Sequence, residues 1–326
     1  TDVVELPHSK RKVDTWVMFT NMEASLWKNS VKYVSDAVYY YSLWNGDYPY
    51  PHATAVDGAL SAGGGMEYPM ITVIGSSGDA RGLDRVIAHE VGHNWFYGIL
   101  GSNEREHAWM DEGVNSFNER RYMNTKYPPD SSKSDMGVNI AGMKINVGKL
   151  LGLPDFSETT LMDLGYRFSA VQKLDQPCDL HSGEYTQINY GTVVYGKTAI
   201  VLAYLQAYLG EELYDKCAQA YFEKWKFKHP QPVDMQKAFE EVSGKNLSWL
   251  FKEIIPTTNQ VDYKIVSVKK GDHMIGPEPR SEMSPNFYSS VKIVNKGKVN
   301  SPFSISALKD DKIIWTQWLD GFSGKK

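Results

Sequence analysis

The stretch VIAHEVGHNWF, residues 86–96, carries His89, Glu90 and His93 in the order H-E-x-x-H. On a helix each residue advances about 100°, so imidazoles four apart leave from one face and can meet at a single tetrahedral ion. Glu90 then stands one step round, beside the ion rather than on it. Zinc held by two histidines and a carboxylate, with water in the fourth position, is a catalytic arrangement. Water bound to it becomes acidic, with a pKa of about 7, and a neighbouring carboxylate can take its proton. That is the mechanical reason for a glutamate between the histidines. Taken alone, the five-residue pattern also fits two surface histidines on an ordinary helix.

A candidate third ligand lies downstream. In AWMDEGVNSF, Glu112 follows His93 after eighteen intervening residues. A helix, a short turn and a second packed helix can return that carboxylate to the metal. Glu119 lies seven residues further on, two turns along the same face. It either orients a ligand imidazole or is a solvated helix glutamate. His107 and His181 read as residues of a polar turn and a loop, and Trp95, Phe96 and Trp109 as packing beside the metal helices.

Holding those side chains requires helices over about residues 83–97 and 109–126. Upstream, Thr20 and Glu23 form a T-x-x-E capping box. Trp27, Val31, Val34, Val38 and Tyr41 then keep helical spacing to about Leu43, and GDYPYP stops that helix. ATAVDGAL reads as a strand leading into the glycine run at 63–65. MEYPMITVIG has strand composition, and Pro69 within it favours a sheet edge. Residues 128–176 are mixed. GKTAIVLAYLQAYLG, EELYDKCAQAYFEKWKF and DMQKAFEEVSGKNLSWLFKEII read as helices, the last two amphipathic. Beyond PTTNQ, at 256–260, the segments VDYKIVSVKKG, YSSVKIVNKG and FSISALKDDKIIWTQWL alternate like strands between turns.

A chain of 326 residues exceeds the usual single-domain size. The change of character at 256–260 divides it into a domain over residues 1–260, which carries the metal motif, and a small β domain over 261–326. The latter is marginal for a core of its own and reads as incomplete. Hydrophobic residues at 42% and charged ones at 23% exclude a globally disordered chain. A formal charge of −4 gives no reason to expect nucleic acid or an anionic membrane as partner. No apolar run approaches the ~20 residues that cross a bilayer. Starting at Thr1 with no initiator Met and no charged-then-apolar leader, the chain reads as a processed product or an excised piece. Cys178 and Cys217 are too few for a disulfide framework and leave room for one bridge. Compartment is not legible in the residues.

HEVGHNWF, followed after eighteen residues by the Glu of WMDEG, resembles the aminopeptidase-N-like gluzincin zinc metallopeptidases, whose pattern is close to HExxHQWFG and WLNEG. Asn94 stands for the common Gln and Asp111 for the common Asn. The resemblance implies that His89, His93 and Glu112 hold one zinc ion and that Glu90 is the general base. It implies an α+β fold: a thermolysin-like, mostly helical catalytic domain with a small sheet, followed by a small β-sandwich-like domain. GGGMEYP resembles the family's GxMEN exopeptidase motif. That places Gly65, Met66 and Glu67 against the substrate, with Glu67 gripping its free α-amine, and Tyr68 where Asn is usual. An edge strand can pair with a peptide and a carboxylate at its end can pair with an ammonium group. Without the metal motif, Glu67 reads as a turn carboxylate after a glycine run.

NYGTVVYGKTAIVLAYL resembles the stretch that carries the family's transition-state tyrosine, usually Y-x-K-G before a helix. Tyr195 matches it, Thr198 replaces the glycine, and Tyr190 falls near the site. A hydroxyl there would donate to the oxyanion. The chain has 20 tyrosines, so the choice of Tyr195 rests on the resemblance. The resemblance covers about residues 20–255, and the family's N-terminal β domain is mostly absent. The expectation is a zinc-dependent metallo-aminopeptidase acting on peptides with a free N-terminus. The altered MEYP keeps open a zinc endopeptidase, or an epoxide hydrolase of the kind known for a leukotriene-processing relative. A non-catalytic binding protein, or an inactive fragment, on the same fold is the alternative from another class.

Overall fold

The computed structural model describes residues 1–58, 60, 64–128, 137–140, 143–146, 158–270 and 289–325. The chain opens with an antiparallel pair, β1 (Asp2–Glu5) and β2 (Lys12–Met18). In β2 alternate residues Val13 and Thr15 are buried while their neighbours face out, the period of a sheet with one covered face. β3 (His52–Asp57) and β5 (Ile71–Ile74) add in parallel, and the two-residue β4 (Gly65–Met66) closes the edge antiparallel to β5. The strand order is β1-β2-β3-β5-β4. The anticipated strand through Pro69 is therefore two strands, and Pro69 sits in the turn between them, where its missing N–H costs no ladder bond. Met70, at φ 66°, completes that reversal.

α1 (Ser30–Asn45) covers one face of the sheet and buries Val34, Ala37, Val38 and Tyr41. It starts nine residues later than the capping box suggested, because the Thr20 hydroxyl is engaged elsewhere. It donates to Asp57 Oδ2 at 2.9 Å, and turns and a short 3-10 segment (Trp27–Asn29) intervene. α2 (Ala80–Gly92) opens on Asp79, whose carboxylate accepts from the Gly82 N–H at 2.7 Å as an N-cap. α2 ends at Gly92, five residues before the expected Tyr97. A π-helical turn (Trp109–Gly113) leads directly into α3 (Val114–Lys126).

Of the mixed stretch at 128–176, α4 (Glu158–Val171) and a short strand pair, β6 (Gly137–Ile140) and β7 (Met143–Asn146), lie among the described residues. A second π-helical segment (Tyr190–Lys197) continues into α5 (Thr198–Leu209), followed by α6 (Glu211–Trp225) and α7 (Pro232–Ser243). α7 has Pro at its first position, a Gln231–Asp234 capping box, and Gly244 in the left-handed region at its end. Gly244 splits the long amphipathic stretch anticipated from 234 to 255, leaving a separate π-helical turn (Trp249–Ile254). Cys178 and Cys217 are both buried free thiols, so no bridge joins them.

The chain divides into two compact units, Thr1–Leu247 and Ser248–Lys326. The break lies thirteen residues before the anticipated Gln260, because the turn Trp249–Ile254 groups with the strands that follow it. In the second unit β8 (Tyr263–Lys270), β9 (Ser289–Asn295) and β12 (Gly324–Lys325) form an antiparallel sheet in the order β12-β9-β8. β10 (Phe303–Lys309) and β11 (Lys312–Leu319) form a hairpin. Tyr263 stacks on Phe303 at 4.3 Å between ring centres, with Phe322 against both. Helices dominate the first unit and strands the second. Among the described residues no helix is long and apolar enough to cross a membrane.

Candidate metal centre

The last turn of α2 carries His89, and His93 follows at the helix's C-terminal cap, still in helical conformation with φ −62° and ψ −12°. The two rings therefore stay on one side. Three donor atoms converge: His89 Nε2 lies 3.2 Å from His93 Nε2, and Glu112 Oε2 lies 3.2 Å from the first and 3.3 Å from the second. A tetrahedral zinc with Zn–N bonds of 2.0–2.1 Å separates two ligand atoms by about 3.3 Å. The triangle has that size. Two imidazole nitrogens and a carboxylate oxygen are also a donor set zinc accepts, so the residues fit the ion.

Each ring is held through its other nitrogen. His89 Nδ1 is 3.0 Å from Glu119 Oε2, and His93 Nδ1 is 2.6 Å from Asp111 Oδ1. Carboxylates accept, so both Nδ1 atoms carry the proton and both Nε2 lone pairs are left for a cation. Glu119 is in turn bound by Arg85. It is buried, which rejects the solvated-glutamate reading of that residue. Burial opposes its ionisation, yet Arg85 and His89 hold it down at about 2. Burial likewise opposes a charge on His89, but Glu112 and Glu119 outweigh it and lift the ring to about 10. Without an ion these carboxylates favour a second proton on the ring, which a cation binding at Nε2 would have to displace.

Close packing fixes the two segments that carry the three donor atoms. A Cβ on Gly92 would overlap the Asn115 amide and the Tyr41 ring, and one on Gly113 would overlap Thr198 and the Val194 carbonyl. Asn115 donates to the His89 carbonyl at 2.8 Å and accepts from the Tyr41 hydroxyl at 3.1 Å. α1, α2 and α3 are thereby tied where the donor atoms sit.

A cleft of about 420 Å³ opens over the triangle, lined by Gly65, Met66, Glu67, Glu90 and Tyr195 among others. Glu90 is buried beneath it, and its Oε2 has no hydrogen-bond partner among the described residues. Burial pushes this carboxyl up to about 7, the range of a working general base. Gly65 lets β4 pass directly over it, since a Cβ there would overlap the Glu90 carboxyl. Glu67, just beyond the edge strand, brings a carboxylate oxygen within 4.8 Å of a His93 ring nitrogen.

Tyr195 sits in the π-helical segment, its ring 6.1 Å from that of His89, with Glu112 close enough to act on its hydroxyl. Burial raises this phenol well above its ordinary value, which keeps it a proton-bearing donor. Tyr190 packs edge-on against Tyr195 at 5.9 Å and is not among the residues lining the cleft.

Three residues near the centre had not been singled out for a role. Asp111 and Asn115 were visible only as neighbours of Glu112. Asn94 accepts from the Met70 N–H at 2.8 Å and from Tyr48 at 3.2 Å, anchoring the turn that carries Glu67. His107 lies apart from the ligands and ties Asp179 to Gln231, and His181 caps a short turn.

The Peptidase family M1 domain model matches residues 33–254, and the chain belongs to that family. Leucine aminopeptidase 2 of Pyricularia oryzae is 27% identical over 261 residues, covering 72% of this chain and 39% of the relative. Among solved structures, Legionella pneumophila aminopeptidase A in complex with aspartic acid superposes over 100% of this chain and 34% of its own. Its TM-score is 0.66 at 13% identity. A mutant M1 zinc metallopeptidase from Deinococcus radiodurans, bound to a Tyr-Ser-Ala substrate, reaches 0.55 at 12% identity, covering 78% of this chain and 50% of that one. These likenesses establish an α+β fold. The chain spans about two fifths or less of the length of the curated relatives it matches. Family membership implies a zinc cofactor, and the donor triangle accommodates it.

Proposed function

We propose that this chain is the catalytic portion of a zinc-dependent aminopeptidase, with His89, His93 and Glu112 as the zinc ligands. Its first unit is read as thermolysin-like and its second as β-sandwich-like. The observation that carries the reading is the 3.2–3.3 Å triangle of donor atoms with the unpartnered Glu90 carboxylate oxygen beside it. Zinc held by these three residues would supply Lewis acidity to the scissile carbonyl and to a water.

The chain's own groups do the rest. Glu90 takes a proton as water attacks the carbonyl carbon, then delivers it to the amide nitrogen as the C–N bond breaks. The Tyr195 hydroxyl donates to the developing oxyanion. Gly65 and Met66 offer an open strand edge along which a peptide can pair. Glu67 ends that edge and pairs with the substrate's terminal ammonium, which limits cleavage to the first residue. Tyr190 supports Tyr195 from behind.

Hydrolysis of an aminoacyl chromogenic amide and of its N-acetylated twin tests this, using zinc-loaded protein. The free amine is expected to be cleaved at least about tenfold faster, the weight of a single charge-assisted contact of 1.5 kcal/mol or more. Glu67→Ala is expected to remove most of that preference. Equal rates on both substrates would leave a zinc endopeptidase and dismiss the aminopeptidase.

A further inference from the structure

His93 is gripped on both ring nitrogens by two consecutive residues. Glu112 Oε2 faces Nε2 at 3.3 Å, and Asp111 Oδ1 faces Nδ1 at 2.6 Å. Successive side chains of an α-helix diverge by about 100° and cannot ordinarily bracket one small ring. Here both lie in the π-helical turn Trp109–Gly113, whose wider backbone alters those directions. Asp111 and His93 are each only 2% exposed, so the bond between them is shielded from water and correspondingly strong. Nδ1 has a second acceptor, the Phe96 carbonyl at 3.3 Å, a longer and weaker partner.

We propose that Asp111 is a positioning residue that fixes the His93 ring so that Nε2, and not Nδ1, is presented to zinc. This rests on the zinc reading above. Without the Asp111 carboxylate, Nδ1 keeps only the longer Phe96 contact, and the ring is held less firmly with Nε2 in the triangle. Asparagine at 111 keeps an acceptor oxygen in place but loses the charge, so it preserves orientation and weakens the hold. Glu119 does the same for His89 from about two turns further on, within α3. The two carboxylates are not equivalent, because Glu119 is shared with Arg85 while Asp111 pairs with His93 alone among the described residues.

The test is zinc affinity, measured by competition with a chromophoric chelator, together with the visible spectrum of the cobalt-substituted protein. The full chain, Asp111→Asn and Asp111→Ala are compared. Asp111→Ala is expected to bind zinc about 10–100-fold more weakly, the usual weight of a carboxylate behind a ligand histidine, and to shift the cobalt bands. Asp111→Asn is expected to fall between, with cobalt bands close to those of the unaltered chain. Unchanged affinity and superimposable cobalt spectra in both variants overturn the proposal. Should Asp111→Ala fail to fold by circular dichroism, Asp111→Asn decides: weaker zinc supports positioning, unaltered zinc refutes it. A wild-type chain that takes up no zinc overturns the metallopeptidase reading as well, whereas indifferent variants of a zinc-binding chain overturn this inference alone.

Discussion

At the residue scale, the centre is a balance between burial and compensating charge. Glu90 is raised to about 7 because it is desolvated, while the dication expected beside it pulls in the other direction. The base must be ionised to act, so the acid limb of the kcat/KM profile for an aminoacyl amide is expected to have its midpoint below pH 7. Activity should be lost as pH falls through that midpoint, and a rate that rises between pH 7 and 5 would contradict the role given to Glu90. His89, Glu90, His93 and Glu112 stand out in the sequence because the chemistry proposed for them dictates spacing along two helices. Asp111 does not, because it reaches His93 from a local π-helical turn that no pattern of side chains announced. Glu119 was legible as a position but not as a bond, since only burial and Arg85 separate it from a solvated glutamate.

At the element scale, the site depends on how closely α1, α2 and α3 approach one another. Gly92 is the pinch point, where a methyl group would overlap Asn115 and Tyr41, both buried and mutually bonded. Gly92→Ala gains about 1 kcal/mol in helix propensity, but overpacking a site that cannot yield costs about 1–3 kcal/mol. The collision is expected to win, and urea unfolding should show Gly92→Ala less stable than the parent; equal or greater stability would refute the packing account. Helical periodicity located α2, α3, α5, α6 and α7, because one face of each is buried and the pattern follows. It misjudged where elements begin and end. Thr20 has a cap residue's chemistry but bonds Asp57 instead, and Pro69 marks a turn between β4 and β5 rather than a strand edge. In both places tertiary contacts outbid the local signal.

At the scale of the whole molecule, the metal-bearing unit ends at Leu247 and the β-rich unit begins at Ser248. The composition change near 256–260 marked that division only approximately, because the π-helical turn at Trp249–Ile254 has a helix's sequence yet groups with the strands. The match to family M1 over residues 33–254 lies largely within the first unit. Everything chemical proposed for the chain depends on one ion lying among atoms from α2, its C-terminal cap and the turn before α3. Crystals of the zinc-loaded protein, with anomalous diffraction recorded at the zinc absorption edge, test this most directly. The account predicts a single strong peak within about 2.3 Å of His89 Nε2, His93 Nε2 and a Glu112 carboxylate oxygen. No peak there, or zinc found only on some other set of side chains, would contradict it.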